Sequence, residues 1–115
     1  MEDNRYKKTY SCSFEFAMDA ISGKWKGLVL WNLHQNRVLR YGELRKLLGE
    51  ITQKMLTQTL RELENSSIID RKVYPVVPPK VEYRLTSYGE KLIPILLQLH
   101  EWGEETFEVL NPNER

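Results

Sequence analysis

Five side chains near the middle of the chain have the types needed to read the edges of nucleic-acid bases: Gln53, Lys54, Thr57, Gln58 and Arg61. A glutamine amide pairs bidentately with adenine, lysine and arginine pair with guanine or a phosphate, and a threonine methyl meets a thymine methyl. On a helix these five share the outer side, because Met55, Leu56, Leu60 and Leu63 claim the inner one. The first acid on the outer side is Glu62, near its far end. Further cations flank this set. Arg71, Lys72, Lys80 and Arg84 follow it, and Arg37, Arg40, Arg45 and Lys46 precede it. Phosphate contacts of the kind that fix register on a duplex need such cations. Catalytic chemistry has no comparable set. His34 and His100 fall in different predicted helices, with no metal-ligand spacing to Cys12 or to a carboxylate pair. No glycine-rich phosphate loop or nucleophile motif occurs. The expectation is therefore no enzyme, no metal and no cofactor.

The elements that would position these groups follow from hydrophobic spacing. Residues 1–12 read as a polar arm. Phe14, Ala17, Met18 and Ile21 fit a first helix over 13–22, stopped by Gly23. A second helix is predicted from about Lys24 to His34, with Trp25, Leu28, Val29 and Leu33 inward, then a turn at Gln35-Asn36. A very short strand is expected at Val38–Leu39. A third helix, about Tyr41 to Leu48, would bury Leu44, Leu47 and Leu48 and end at Gly49-Glu50. The fourth helix, about 52–64, has a well-marked start: Thr52 as N-cap, and Ile51 before it as a hydrophobic staple on Leu56. Two alternating strands follow, around Ile69–Val73 and Val81–Leu85. The prolines at 75, 78 and 79 make a stiff loop between them. A last helix begins at Thr86 or Ser87, with Ser87 and Glu90 fitting a capping box. It carries Leu92, Leu96, Leu99, Trp102, Phe107 and Leu110 on one broad face, and Pro94 predicts a kink or a division.

Four helices, a two-stranded hairpin and a closing helix form the layout of a winged helix-turn-helix, an α+β, mainly α fold whose fourth helix would be the recognition helix. The hairpin over about 69–85 would be the wing. Lys72 and Lys80, nearer its tip, are the favoured phosphate contacts. Arg71 would either join them or turn inward to Glu82 or Glu43.

Length and charge set the outer limits. The chain has 115 residues and a formal net charge of +1, enough for one domain over 13–110, with 111–115 as a tail. No apolar run approaches the 18 or so residues of a membrane helix, and the first residues do not form a secretory signal. One cysteine fits a reducing, cytoplasmic setting. The small net charge hides an uneven distribution. Residues 24–91 carry thirteen basic and seven acidic side chains, and residues 92–115 carry one and five. That bias reflects either ordinary solvated faces or an electrostatic footprint for a polyanion.

Several segments together resemble the HxlR-type transcriptional regulators, a winged-helix family related to the MarR-type regulators. They are Cys12; Gly23-Lys24-Trp25; Arg40-Tyr41-Gly42-Glu43-Leu44; Ile51 to Thr57 leading into Leu60-Arg61-Glu62-Leu63-Glu64; Pro78 to Tyr83 leading into Leu85-Thr86 with Gly89; and Trp102. The resemblance spans roughly residues 12–103. Tyr41 stands where the family usually has Phe, and Ser67 where it often has Gly. The resemblance implies a homodimer joined through terminal helices, each protomer presenting one recognition helix to a pseudo-palindromic operator in double-stranded DNA. It also implies that Cys12 could sense a small electrophile or oxidant.

The apolar faces agree with a dimer. Residues 92–110 and 14–21 offer more apolar surface than one small core covers. Phe14, Met18, Leu92, Leu96, Leu99, Trp102 and Phe107 would form the interface, unless the last helix merely caps its own domain. Cys12 is either a small buried hydrophobe or a thiol made reactive by Lys7, Lys8 or Lys24. The rival to a DNA reader is a winged helix used as a protein-interaction module, without specific DNA binding.

Overall fold

Leucines from three helices meet in one cluster, and that cluster fixes how the helices face. The computed structural model describes residues 10–113. In chain order the elements are α1 (Ser13–Ala20), α2 (Trp25–Asn36), β1 (Val38–Arg40), α3 (Tyr41–Leu48), α4 (Gln53–Asn65), β2 (Ile69–Tyr74), β3 (Lys80–Leu85) and α5 (Ser87–Leu110). Val29, Leu30 and Leu33 of α2, Leu44 of α3, and Leu56, Leu60 and Leu63 of α4 are buried together with Ile68, Ile69, Tyr83 and Ile93. The strands form one antiparallel sheet in the order β1-β3-β2. In the backbone register of the hairpin, Lys72 stands opposite Glu82 and Arg71 opposite Tyr83.

Local chemistry starts and stops these elements. The Thr52 hydroxyl accepts the Met55 amide at 3.1 Å, and Ile51 is buried with Leu56, so both the cap and the staple of α4 are present. The Glu43 carboxylate reaches back to the Arg40 amide at 2.8 Å and caps α3. At the start of α5 the capping residue is Thr86, not Ser87. Its hydroxyl donates to the Ser67 carbonyl at 2.6 Å and accepts the Gly89 amide at 3.2 Å, joining the end of α4 to α5. Gly89 has its own reason. A Cβ there would overlap the Ile68 carbonyl oxygen, so only glycine allows α5 this close to the strand.

Several expectations are corrected. Leu28, Leu47 and Met55 are exposed, while Leu30 and Thr59 are buried. α2 runs on through Asn36, so the turn falls at Arg37. Its apolar residues are spread around the helix, so spacing alone does not select a face. Pro94 lies inside one continuous α5 rather than between two helices.

The ends of the molecule stand apart from the core. The start of α5 packs inward through Gly89 and Ile93. Leu92 and Leu96, expected on a subunit interface, are half-buried and pack in part against the protomer's own core. Beyond them Leu99, Trp102, Phe107, Val109 and Leu110 are exposed, as are Phe14 and Met18 of α1. The Cα radius of gyration is 15.9 Å, against about 13 Å for a compact chain of this size.

Ser67 adopts φ 62°, in the left-handed region. A side chain there costs roughly 1–2 kcal/mol, which glycine avoids. Ser67→Gly is therefore expected to stabilise the protein by about 1 kcal/mol, less the greater unfolded-state entropy of glycine, measured by urea denaturation.

Candidate nucleic-acid interface

The buried leucines of α4 turn its polar side outward. Gln53, Lys54, Gln58 and Arg61 are exposed, Thr57 is half-buried, and together with Glu62 they line one shallow groove. All five side chains singled out for base reading therefore share a surface. The thirteen residues of α4 give roughly 20 Å of helix at 1.5 Å per residue.

Two of these side chains, Thr57 and Gln58, are held in place, and the backbone of Gln53 is anchored. The Tyr41 hydroxyl donates to the Gln53 carbonyl at 3.0 Å and lies 3.2 Å from the Thr57 hydroxyl. With the tyrosine proton committed to the carbonyl, Thr57 donates to Tyr41. A phenylalanine at position 41 would supply neither bond. Gln58 Nε2 donates to Glu62 Oε2 at 3.2 Å. The other oxygen, Glu62 Oε1, is 3.2 Å from Lys26 Nζ. Lys26 is buried on α2 and also donates to the Asp19 carbonyl of α1 at 3.1 Å. Sequence spacing gives Lys26 no role, because a lysine beside an apolar stripe reads as solvated; its only signal is that it is the one lysine or arginine in α2.

The flanking cations divide into two groups. Arg40, Arg45 and Lys46 line a second shallow concavity with Gly42 and Glu43. On the wing, Glu82 gathers much of the charge. Its carboxylate accepts the Tyr74 hydroxyl at 3.0 Å and pairs with Arg84 at 3.0 Å and Lys80 at 3.3 Å. The Tyr74 bond, with Lys80 and Arg84, holds the Glu82 carboxyl below its ordinary range. Lys72 and Lys80 also sit over the Tyr74 ring, 4.9 and 4.7 Å from its centre. Among the described residues Lys80 and Arg84 are thus already paired with a carboxylate, and Lys72 is not. Arg71 pairs neither with Glu82 nor with Glu43 but bonds the Tyr83 hydroxyl, whose pKa is raised chiefly by burial. At the wing tip Val77 is 99% exposed.

Cys12 is exposed and occupies the N-cap position of α1. The Glu15 and Phe14 amides, and then the Ser11 side chain, pull its thiol below the ordinary value, as a helix N-terminus does for a thiolate. Lys24 sits over the Trp25 ring instead, and the roles expected of Lys7 and Lys8 lie outside the described residues. His34 lies 3.7 Å from Glu90, and His100 3.0 Å from Glu104. Among the described residues no three metal-ligating side chains cluster, and no helix is long and apolar enough to cross a membrane.

The sequence model of the HxlR-like helix-turn-helix family matches residues 20–111, the stretch that holds α2 through α5. The chain belongs to that family. It is a transcriptional regulator of the winged helix-turn-helix kind, not an enzyme. The HTH-type transcriptional regulator YybR of Bacillus subtilis (strain 168) is 48% identical over 107 residues, 93% of this chain and 85% of that one. The redox regulator HypR in its reduced form is 48% identical, with a TM-score of 0.81 over 88% of this chain and 99% of that one. In its oxidized form HypR is 50% identical, with a TM-score of 0.74 over 82% and 96%.

The wing's charge cluster yields a test with a definite sign. A carboxyl depressed in the folded state contributes stability above its unfolded pKa and loses it as pH falls through the folded value. Glu82→Gln is expected to melt below wild type at neutral pH. The gap should close as pH drops through and below the ordinary carboxylate range, followed by circular dichroism.

Proposed function

We propose that this regulator acts in the cytoplasm as a homodimer that binds a pseudo-palindromic operator in double-stranded DNA. α4 lies in the major groove, where Gln53, Lys54, Thr57, Gln58 and Arg61 meet base edges. Lys72, Lys80 and Arg84 on the wing, with Arg40 at the end of β1 and Arg45 and Lys46 on α3, serve the phosphates. For Lys80 and Arg84 this means sharing their charge between Glu82 and the backbone. The observation that carries the reading is the groove on α4, which collects Gln53, Lys54, Thr57, Gln58 and Arg61 on one side of that helix over a leucine underside.

The dimer rests on the uncovered apolar ends. Phe14 and Met18 of α1 and Leu99, Trp102 and Phe107 of α5 are exposed in one protomer. Pairing them across a two-fold axis removes them from water and sets two recognition helices about 34 Å apart, one turn of DNA.

Control by thiol chemistry at Cys12 completes the proposal. The support is an exposed thiol at a helix N-terminus with a lowered pKa, and similarity to HypR, a redox regulator solved in reduced and oxidized forms. With one cysteine per chain, the products open to it are an intersubunit disulfide, a mixed disulfide with a small thiol, or an adduct with a small electrophile.

A gel shift on the DNA upstream of the gene tests all three parts. Wild type is expected to bind specifically, with affinity falling steeply as salt rises. Arg61→Ala or Lys54→Ala should weaken binding by about tenfold. Diamide or a quinone should change wild-type binding and leave Cys12→Ser unaffected. Tolerance of both α4 substitutions and of salt would instead favour a protein-interaction module.

A further inference from the structure

Glu62 stands out in the reading groove because a carboxylate repels phosphates, yet it sits among the side chains that face DNA. Its two oxygens are used separately. Oε1 is clamped by Lys26 Nζ at 3.2 Å, and Oε2 accepts Gln58 Nε2 at 3.2 Å. The clamp has a fixed base, since the Lys26 side chain is only 10% exposed and its ammonium also donates to the Asp19 carbonyl at 3.1 Å. The ammonium is thus held by α1 and α2, and the carboxylate cannot swing away without leaving it unpaired. A buried charge left alone is costly.

The consequence falls on Gln58. A free glutamine amide can turn over and present either its carbonyl or its amine to a base. Here the overturned form would set the Gln58 carbonyl oxygen against a carboxylate oxygen, two acceptors with no proton between them. The amide is therefore held with its nitrogen toward Glu62. Its carbonyl and its second N–H remain for a ligand.

We infer that Glu62 and Lys26 are specificity-positioning residues, which fix the Gln58 amide so that it accepts from a base carrying an exocyclic amine, adenine N6 or cytosine N4. The inference rests on the DNA-reading role of α4. With adenine, the second N–H can complete the pair at N7. A base presenting only acceptors at that place, guanine or thymine, meets the Gln58 carbonyl unfavourably. Glu62 need not touch DNA itself.

Selection of bound duplexes from a random library, followed by affinity measurement on single-base variants, tests this. Wild type is expected to show a discrimination of roughly tenfold or more at one base pair in each half-site, favouring the exocyclic amine. Glu62→Ala should reduce it below about threefold at that base pair alone, with other positions unchanged. Gln58→Ala should abolish it at the same base pair, and adding Glu62→Ala to Gln58→Ala should change that position no further. Lys26→Met should relax the same position. A purely structural role, or simple relief of phosphate repulsion, would shift all sequences together and overturn the inference. So would an unchanged preference in Glu62→Ala, whose fold is checked by its melting curve; Gln58→Ala, on an exposed side chain, keeps the mapping secure. If wild type selects no sequence at all, the DNA-reading role fails and the inference with it. If wild type selects one and Glu62→Ala keeps every preference, only the inference fails.

Discussion

The underside of α4 determines what its outer side can do. Leu56, Leu60 and Leu63 lock into the cluster built by Val29, Leu30, Leu33 and Leu44. Burying a leucine is worth roughly 1.5–3 kcal/mol, so rotating α4 by a third of a turn would expose several such side chains at once. The helix therefore has one stable rotation about its axis. Gln53, Lys54, Gln58 and Arg61 face outward because those leucines cannot.

A thinner polar layer then refines that placement. Tyr41 ties the first turns of α4 to α3, and Thr52 closes the helix start. Lys26 ties Glu62, near the other end, to α1 and α2. None of these bonds is large beside the leucine core, since a typical net hydrogen bond contributes about 1 kcal/mol. Their importance is geometric. They hold the Thr57 hydroxyl and the Gln58 amide nitrogen after the core has decided which side chains line the groove.

Much of this was legible in the residue order. Thr52 with Ile51, the presence of strands at Ile69–Val73 and Val81–Leu85, and the i, i+4, i+7 leucines of α4 follow from local rules, although burial along the strands does not alternate and Val73 is exposed. Other features depend on neighbours that no local pattern names. α2 is apolar on too many sides for its buried face to be read, so Leu28 and Leu30 exchange places. Ser67 takes a left-handed backbone where α4 gives way to β2, and Thr86 displaces Ser87 as cap because its hydroxyl, donating to the Ser67 carbonyl, accepts the Gly89 amide. Lys26 is buried only because two oxygens from separate helices converge on it. In the residue order Lys80 and Arg84 read as free charges of the wing, whereas Tyr74, Lys80 and Arg84 converge on Glu82.

The charge balance makes the same point at the scale of the molecule. A net charge of +1 argues against a broad positive field, and the cations that matter are placed on α3, α4 and the wing. Hydroxyl-radical footprinting on the DNA upstream of the gene tests the central claim most directly. Two paired recognition helices predict two protected backbone patches, centred about one helical turn apart and related by two-fold symmetry. A single isolated patch, or none at a concentration where the protein is folded, would contradict it.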